Sequence, residues 1–220
     1  MKHTVYAVIP VKDPYESKTR LSGILNPESR KKLTLLMLED VISTLKNSKT
    51  LTGVVVVSSS LEVLNLVESL GCETVREGAK GVGLNKAVEL GVEYAGKLGA
   101  EAVLIMPADI PMINPEDVDG LLSTGFCLEK PYVVVSPSED GGTNALMLSI
   151  PAPIAFRFGP NSYRLHLYEA ERTKSNIAVF HSKRVMLDID DEGDIVFFLK
   201  YGEGRKSWFY LKETCRGSYR

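Results

Sequence analysis

The stretch VLIMPADIPMI, residues 103–113, runs four apolar residues into a proline and then sets a carboxylate, Asp109, two positions before Pro111. An acid at the end of a buried strand is well placed to hold a hard divalent cation. Mg2+ in particular takes one or two carboxylates and completes its shell with water and ligand phosphates. A second apolar stretch, RVMLDID, ends on Asp190. Asp188 lies two residues earlier and shares a face with Asp190 in an extended chain. The pair Asp109 and Asp190 is therefore the candidate metal site. A competing role for Asp190 is the N-cap of a helix starting near Asp191, and either acid suits that cap.

Cations and flexible turns accompany these acids. Lys12, Lys18, Thr19 and Arg20 fall within nine residues of one another, after the first apolar run. Such a loop can hold a triphosphate by charge and hydrogen bonds. It lacks the G-x-x-x-x-G-K spacing of a P-loop, and a solvated surface loop accounts for the same charges. Gly81-Val82-Gly83-Leu84-Asn85 lets backbone amides approach a planar or anionic ligand, with Asn85 able to read a base edge or ribose. The plainer reading is a loop with a helix-starting Asn. Thr143 and Asn144 follow a Gly-Gly turn, and Arg157, Gly159, Ser162 and Arg164 surround a helix start. A helix N-terminus with Ser and Arg is a ready anion site, although a tight hairpin and a helix cap explain the two segments as well. His3, His166 and His181 have no partners by spacing, so packing or surface roles are expected for them. No G-x-S-x-G or catalytic cysteine pattern is present.

These side chains need a scaffold, and the hydrophobic periodicity supplies one. VYAVIP from Val5 and GVVVVSS from Gly53 read as buried strands. Between them Asn26, Pro27 and Glu28 start a helix that Leu33, Met37 and Val41 carry to about Lys46. Further helices are predicted over residues 61–70 and 84–96, after Asn114, over 161–173, and from Asp191 to about Tyr201. Strands are predicted at CETVRE, at 132–135, at about 143–148, at NIAVF and at RVMLDID. The tail after Tyr201 is mixed and is expected to pair with another element. Alternating strands and helices over the first 125 residues predict an α/β fold, a doubly wound and mostly parallel sheet. With 220 residues and no linker or repeat, one domain over 1–220 is the simplest count. Ligands of open α/β sheets bind outside the carboxyl ends of the strands, and four of the polar clusters above fall at such ends.

Bulk properties narrow the classes. A net charge of -2 excludes the basic excess that nucleic-acid binding needs. Three scattered cysteines fit neither a disulfide framework nor a zinc site. No apolar run reaches the length of a membrane span, so a cytoplasmic protein without membrane contact is expected.

The motifs IPVKDPYESKTRLS, GLNKA, PADIPMI, DGGTNAL, FGPNSYRLH and LDIDDEGDI occur in an order that resembles the 2-phospho-L-lactate guanylyltransferases. These belong to the wider nucleotidyltransferases with a molybdenum-cofactor-guanylyltransferase-like fold. The resemblance spans about Val5 to Leu199 and implies a Rossmann-like fold of the nucleotide-diphospho-sugar-transferase kind. It implies transfer of GMP from GTP to 2-phospho-L-lactate or phosphoenolpyruvate, with loss of pyrophosphate, in coenzyme F-420 biosynthesis. It further implies Mg2+ at Asp109 and Asp190, and Lys12, Lys18 and Arg20 facing the triphosphate, with Lys18, Arg20 and Asp109 catalytic. Asn85 is implied as a nucleotide contact, and Thr143, Gly159 and Ser162 as holders of the acid's phosphate and carboxylate. The glycine-rich first loop of the wider superfamily is replaced here by KDPYESKTR, which favours the phospholactate group. Two rival readings stay open: a cytidylyl- or guanylyltransferase for another acceptor, and a nucleotide-binding module that releases no pyrophosphate. The oligomeric state, a homodimer included, is also open.

Overall fold

Residues 3–78 and 81–215 are described by the computed structural model. Seven strands form one sheet in the order β3-β2-β1-β4-β6-β5-β7. They are β1 (Val5–Val11), β2 (Gly53–Ser58), β3 (Glu73–Arg76), β4 (Ala102–Ile105), β5 (Tyr132–Pro137), β6 (Thr143–Ser149) and β7 (Asn176–Val179). β1, β2, β3 and β4 run parallel to one another, as do β5 and β7. Only β6 is reversed, antiparallel to both β4 and β5. The doubly wound, mostly parallel sheet predicted from the alternation is therefore found. The switch point lies between β1 and β4, where the strand order turns back.

Helices cover both faces, as buried parallel strands require. α1 (Pro27–Lys46), α2 (Leu61–Ser69) and α4 (Pro115–Phe126) pack on one face, with Leu38, Val41, Val63, Val67, Val118 and Leu121 against Ile9, Val56 and Leu104. α3 (Leu84–Lys97) and α5 (Ser162–Arg172) cover the other, with Val88, Val92 and Ala170 against Val8, Val57 and Val133. The caps follow the sequence signals. Asn26 accepts from the Ser29 amide at 2.8 Å, and Asn114 with Asp117 forms a capping box at the start of α4. α3 lies so close to the sheet that a Cβ at Gly91 would sit 2.4 Å from a Val8 methyl.

One expectation needs correction. RVMLDID is not a strand. Lys183–Met186 forms a short helical turn, α6, and the chain then crosses back over the sheet's end. The buried residues Val185 and Ile189 are four apart, a spacing that shares a face in a helix and in a strand alike, so periodicity does not separate the two. Arg184 and Ser182 fasten the turn to Asp117 of α4, at 2.6 and 2.7 Å. The tail, for its part, forms α8 (Lys206–Thr214) and packs on α1. With α7 (Glu192–Tyr201) it builds a third core from Leu21, Leu25, Leu33, Met37, Ile189, Phe198, Trp208 and Leu211. This cluster ties together the segments that carry Lys18 and Asp190. No helix among the described residues is long and apolar enough to cross a membrane.

The start of α8 is held by one buried carboxylate. Asp40 of α1 accepts from the amides of Lys206 and Ser207, both at 2.9 Å, and from the Ser207 hydroxyl at 2.6 Å. Hydrogen bonds to a charged group contribute about 1.5–3 kcal/mol each and are not additive within one cluster. Asp40→Ala should therefore lower unfolding free energy by roughly 2–4 kcal/mol. Urea unfolding of the two proteins at neutral pH measures the difference, and a loss below roughly 0.5 kcal/mol would contradict this account.

Candidate active site

The parallel strands deliver their carboxyl ends to one edge of the sheet, and the predicted polar segments gather there. After β4 the chain passes through Met106 and Pro107, and the next turn carries Asp109. The Asp109 carbonyl accepts from the Ile189 amide at 3.0 Å. That bond draws residues 188–190 against the end of β4, which no periodicity in the sequence foretells. Ile189 packs into the third core, so Asp188 and Asp190 on either side of it turn towards the cleft.

Lys18 joins the acids. Its ammonium lies 2.6 Å from Asp109 Oδ2 and 2.7 Å from Asp190 Oδ1, with the side chain only 5% exposed. Burial alone would push this ammonium's pKa down. The two carboxylates outweigh it and hold the pKa above the ordinary lysine value. Lys18 takes up this position in a left-handed backbone, φ 55°, before a short 3-10 turn over Thr19–Gly23. A non-glycine residue there costs of order 1 kcal/mol or more, a strain that clusters at functional positions. Arg20 is exposed and reaches Asp190 at 3.9 Å.

The competition over Asp190 resolves in favour of Asp191 as the cap. Asp191 accepts from the Asp194 amide, and Asp194 accepts in return from the amides of Asp190 and Asp191. The Asp190 carboxylate is left to Lys18 and the more distant Arg20. Asp188 accepts from the Asn144 amide group at 3.2 Å. Its pKa is pushed up to about 6, first by burial and then by the charges of Asp109 and Asp190. The acids thus sit close enough to repel, with one buried ammonium among them.

Three cavities meet along this edge and share walls. The first, about 460 Å³, lies over the ends of β1, β2 and β3 and is lined by Pro10, Lys12, Glu77, Gly81, Gly83 and Leu84. The second, about 280 Å³, holds Lys12, Lys18, Asp109 and Asp190. The third, about 320 Å³, adds Thr143, Asn144, Gly159, Ser162 and Asp188. Pro10 and Leu84 line all three, and Asp109 and Asp190 line the last two. The result is a trough with the acids between its two ends. Of the residues singled out in the sequence, Lys12, Lys18, Asp109, Thr143, Gly159, Ser162 and Asp190 all line it.

Thr143 arrives at this edge because β6 is reversed, so that its first residue lies beside the end of β4. Gly141 and Gly142 close the preceding turn, and the Gly141 carbonyl accepts from the Tyr163 amide of α5. Ser162 begins α5 after Asn161 at φ 58°, with no side chain of Asn161 capping the first amides. The Ser162 hydroxyl donates to Thr143 Oγ1 at 3.1 Å.

The sequence leaves His166 between packing and surface roles and gives no sign of its connection to this end. The ring is fully buried. Its Nε2 accepts from the Arg157 amide at 3.0 Å, which puts the ring proton on Nδ1, facing Thr143 Oγ1 at 3.0 Å. Thr143 Oγ1 then accepts twice, and its own proton is free to point at a ligand. Only the i, i+4 spacing of Ser162 and His166 on α5 could have signalled the link. Two other predicted contacts are spent on structure. The Asn85 amide group bonds the Phe158 backbone at both ends, at 2.7 and 3.1 Å. Arg157 pairs with Glu169 at 3.1 Å.

Among the described residues no cluster of three or more His, Cys, Asp or Glu is arranged to hold a metal ion. The donor chemistry still suits a hard cation: Asp109 and Asp190 offer oxygen ligands only, and a cationic group already bridges them. Mg2+ is bound in this way, by one or two carboxylates with phosphates completing its shell.

Comparison with known proteins agrees with the geometry. The chain is 40% identical to a phosphoenolpyruvate guanylyltransferase of Rubrobacter xylanophilus over 87% of this chain and 92% of that protein. It is 34% identical to a 2-phospho-L-lactate guanylyltransferase of Methanobrevibacter smithii, over 95% and 90% of the two chains. In fold it is similar to a crystal structure from Desulfovibrio desulfuricans G20 described as a nucleotide-diphospho-sugar transferase (TM-score 0.79, 15% identity, 97% and 96% of the chains). A nucleotidyl transferase from Methanothermobacter thermautotrophicus is also similar (TM-score 0.64, 14% identity, 89% and 95%). Residues 5–216 match the family described as "Guanylyl transferase CofC like", and the chain belongs to that family of nucleotidyltransferases.

Proposed function

We propose that this enzyme transfers GMP from GTP to a small phosphorylated acid, 2-phospho-L-lactate or phosphoenolpyruvate, and releases pyrophosphate. The observation that carries the reading is the trough, with Lys18, Asp109 and Asp190 between a larger cavity and a smaller one. The names of the relatives support the same substrates. Family membership supports the finer reading, a step of coenzyme F-420 biosynthesis.

The chemistry follows from charge. An oxygen of the acid's phosphate attacks the α-phosphorus of GTP in line. A new P–O bond forms, the bond to the bridging oxygen breaks, and pyrophosphate leaves with the electron pair. A phosphate monoester is largely dianionic at neutral pH, so no general base is needed. The rate then depends on positioning and on neutralising the charge that builds up. Lys18 faces the middle of the trough, and Arg20, outside its lining, reaches it through Asp190; both suit the triphosphate. Lys12 lines the first two cavities and suits the same group. Thr143, Ser162 and the open backbone at Gly159 suit the acid. Bound at Asp109 and Asp190, Mg2+ would supply further neutralisation of the phosphates.

Pyrophosphate release with GTP against each acid tests the reading. Turnover with at least one is expected, and faster turnover with CTP would point to the cytidylyl rival. Asp109→Asn should keep the fold and lose at least ~100-fold in kcat, with a higher Mg2+ requirement. Wild-type turnover across a Mg2+ titration would refute a metal role for Asp109.

His166 gives a pH dependence of known sign. Burial lowers its pKa from 6.5 to about 4, against the opposing charge of Glu169. The unfolded chain therefore binds this proton more readily. The neutral ring's contribution is intact above pH 6.5 and is lost as the pH falls through that window towards 4. At full extent the loss approaches ~3 kcal/mol. His166→Asn keeps a donor for Thr143 and removes the titration. Urea unfolding between pH 7 and pH 4.5 should show a shallower loss of stability in this variant than in the wild type, and equal slopes would contradict it.

A further inference from the structure

Glu77 is a carboxylate that lines the first cavity and is itself buried. It follows β3 directly, extending the ladder through its amide to the Ser58 carbonyl at 3.0 Å. The residue is only 8% exposed. One carboxylate oxygen accepts from the Val82 amide at 2.8 Å. Gly81, at φ 66°, lies beside the group, and a Cβ there would sit in ordinary van der Waals contact with the same oxygen, at 3.7 Å. Among the described residues no Lys, Arg or His forms an ion pair with it. A carboxylate is acceptor-only, and one held out of water needs donors. The cavity has room for a ring system to supply them.

Position along the trough says which part of a nucleotide this is. The acids and Lys18 lie at the β1–β4 switch point, and Glu77 lies at β3, two strands further out. Neighbouring strands are about 4.8 Å apart, so Glu77 stands roughly 10 Å beyond the end of β1. With the α-phosphorus at the acids, the ribose falls next to it and the base falls outward. Guanine alone of the common bases carries two adjacent donors on its pairing edge, N1–H and the 2-amino group. A carboxylate matches such a pair and repels the ring acceptors of adenine and cytosine.

We propose that Glu77 reads the pairing edge of guanine and sets the base preference of this enzyme, a reading that rests on its being a guanylyltransferase. The Val82 amide holds the carboxylate in register. Gly81 lines the same cavity beside that contact, and Lys12 lines it on the side it shares with Lys18 and the acids.

The test is nucleotide binding by the full chain without acceptor, measured by calorimetry with GTP, inosine triphosphate and xanthosine triphosphate. Inosine lacks the 2-amino group, and xanthine puts a carbonyl in its place. The wild type should bind GTP about tenfold to hundredfold more tightly than inosine triphosphate, the range for a hydrogen bond to a charged group. Glu77→Gln offers an amide where the carboxylate stood. It should lose most of that preference and gain affinity for xanthosine triphosphate, a reversal that damage to the fold cannot produce. Equal wild-type affinity for GTP and inosine triphosphate would overturn the proposal without any variant. So would a Glu77→Gln protein whose discrimination moved only against 2′-deoxy-GTP, since the carboxylate would then hold the ribose. Pyrophosphate release judges the guanylyltransferase reading separately, because these binding ratios do not require turnover.

Discussion

The ammonium of Lys18 between Asp109 and Asp190 is the contact around which the active edge is organised. The three groups come from positions far apart in the chain, and each is useless alone. Two carboxylates this close repel one another, and a buried ammonium without them would be driven to neutrality. Together they satisfy one another while leaving net negative charge, which adds to burial in raising the pKa of Asp188. An edge with that net charge attracts a further cation and repels an anion that arrives without one.

The rest of the fold holds that contact in place. The third core binds Leu21, three residues after Lys18, and Ile189, one residue before Asp190, into a single apolar cluster. The bond from the Ile189 amide to the Asp109 carbonyl closes the triangle through the backbone. α8, a helix remote from the trough, matters because it completes this cluster and is fixed to α1 by Asp40.

Much of this was legible in the residues. Strand and helix periods set out the order of elements, and Asn26, Pro27 and Asn114 marked helix starts where they occur. The acid after a buried strand identified Asp109 on local grounds. The features that stayed hidden depend on pairing over long separations. The segment 184–190 alternates well enough for a strand, but β7 already ends that side of the sheet and Asp117 draws Arg184 away. Asn85 looked like a ligand group because nothing nearby in sequence claims it, whereas Phe158, 73 residues later, takes both ends of its amide. His166 was silent for the same reason, since Arg157 and Thr143 reach it only once β6 and α5 have packed.

The reversal of β6 divides the trough by construction as well as by contents. The half with the larger cavity is made from loops at the carboxyl ends of parallel strands, where crossover helices fix each loop at both ends. The other half is made from beginnings, Thr143 at the head of β6 and Ser162 at the head of α5. Residues 138–142 and 156–161 lie ahead of those beginnings, outside the ladder that pairs Ala102 with Ser149 and Ile105 with Leu146. Changes of length or side chain there reshape the smaller cavity without breaking a single rung of the sheet. Such a layout lets one scaffold keep one half of the trough and vary the other.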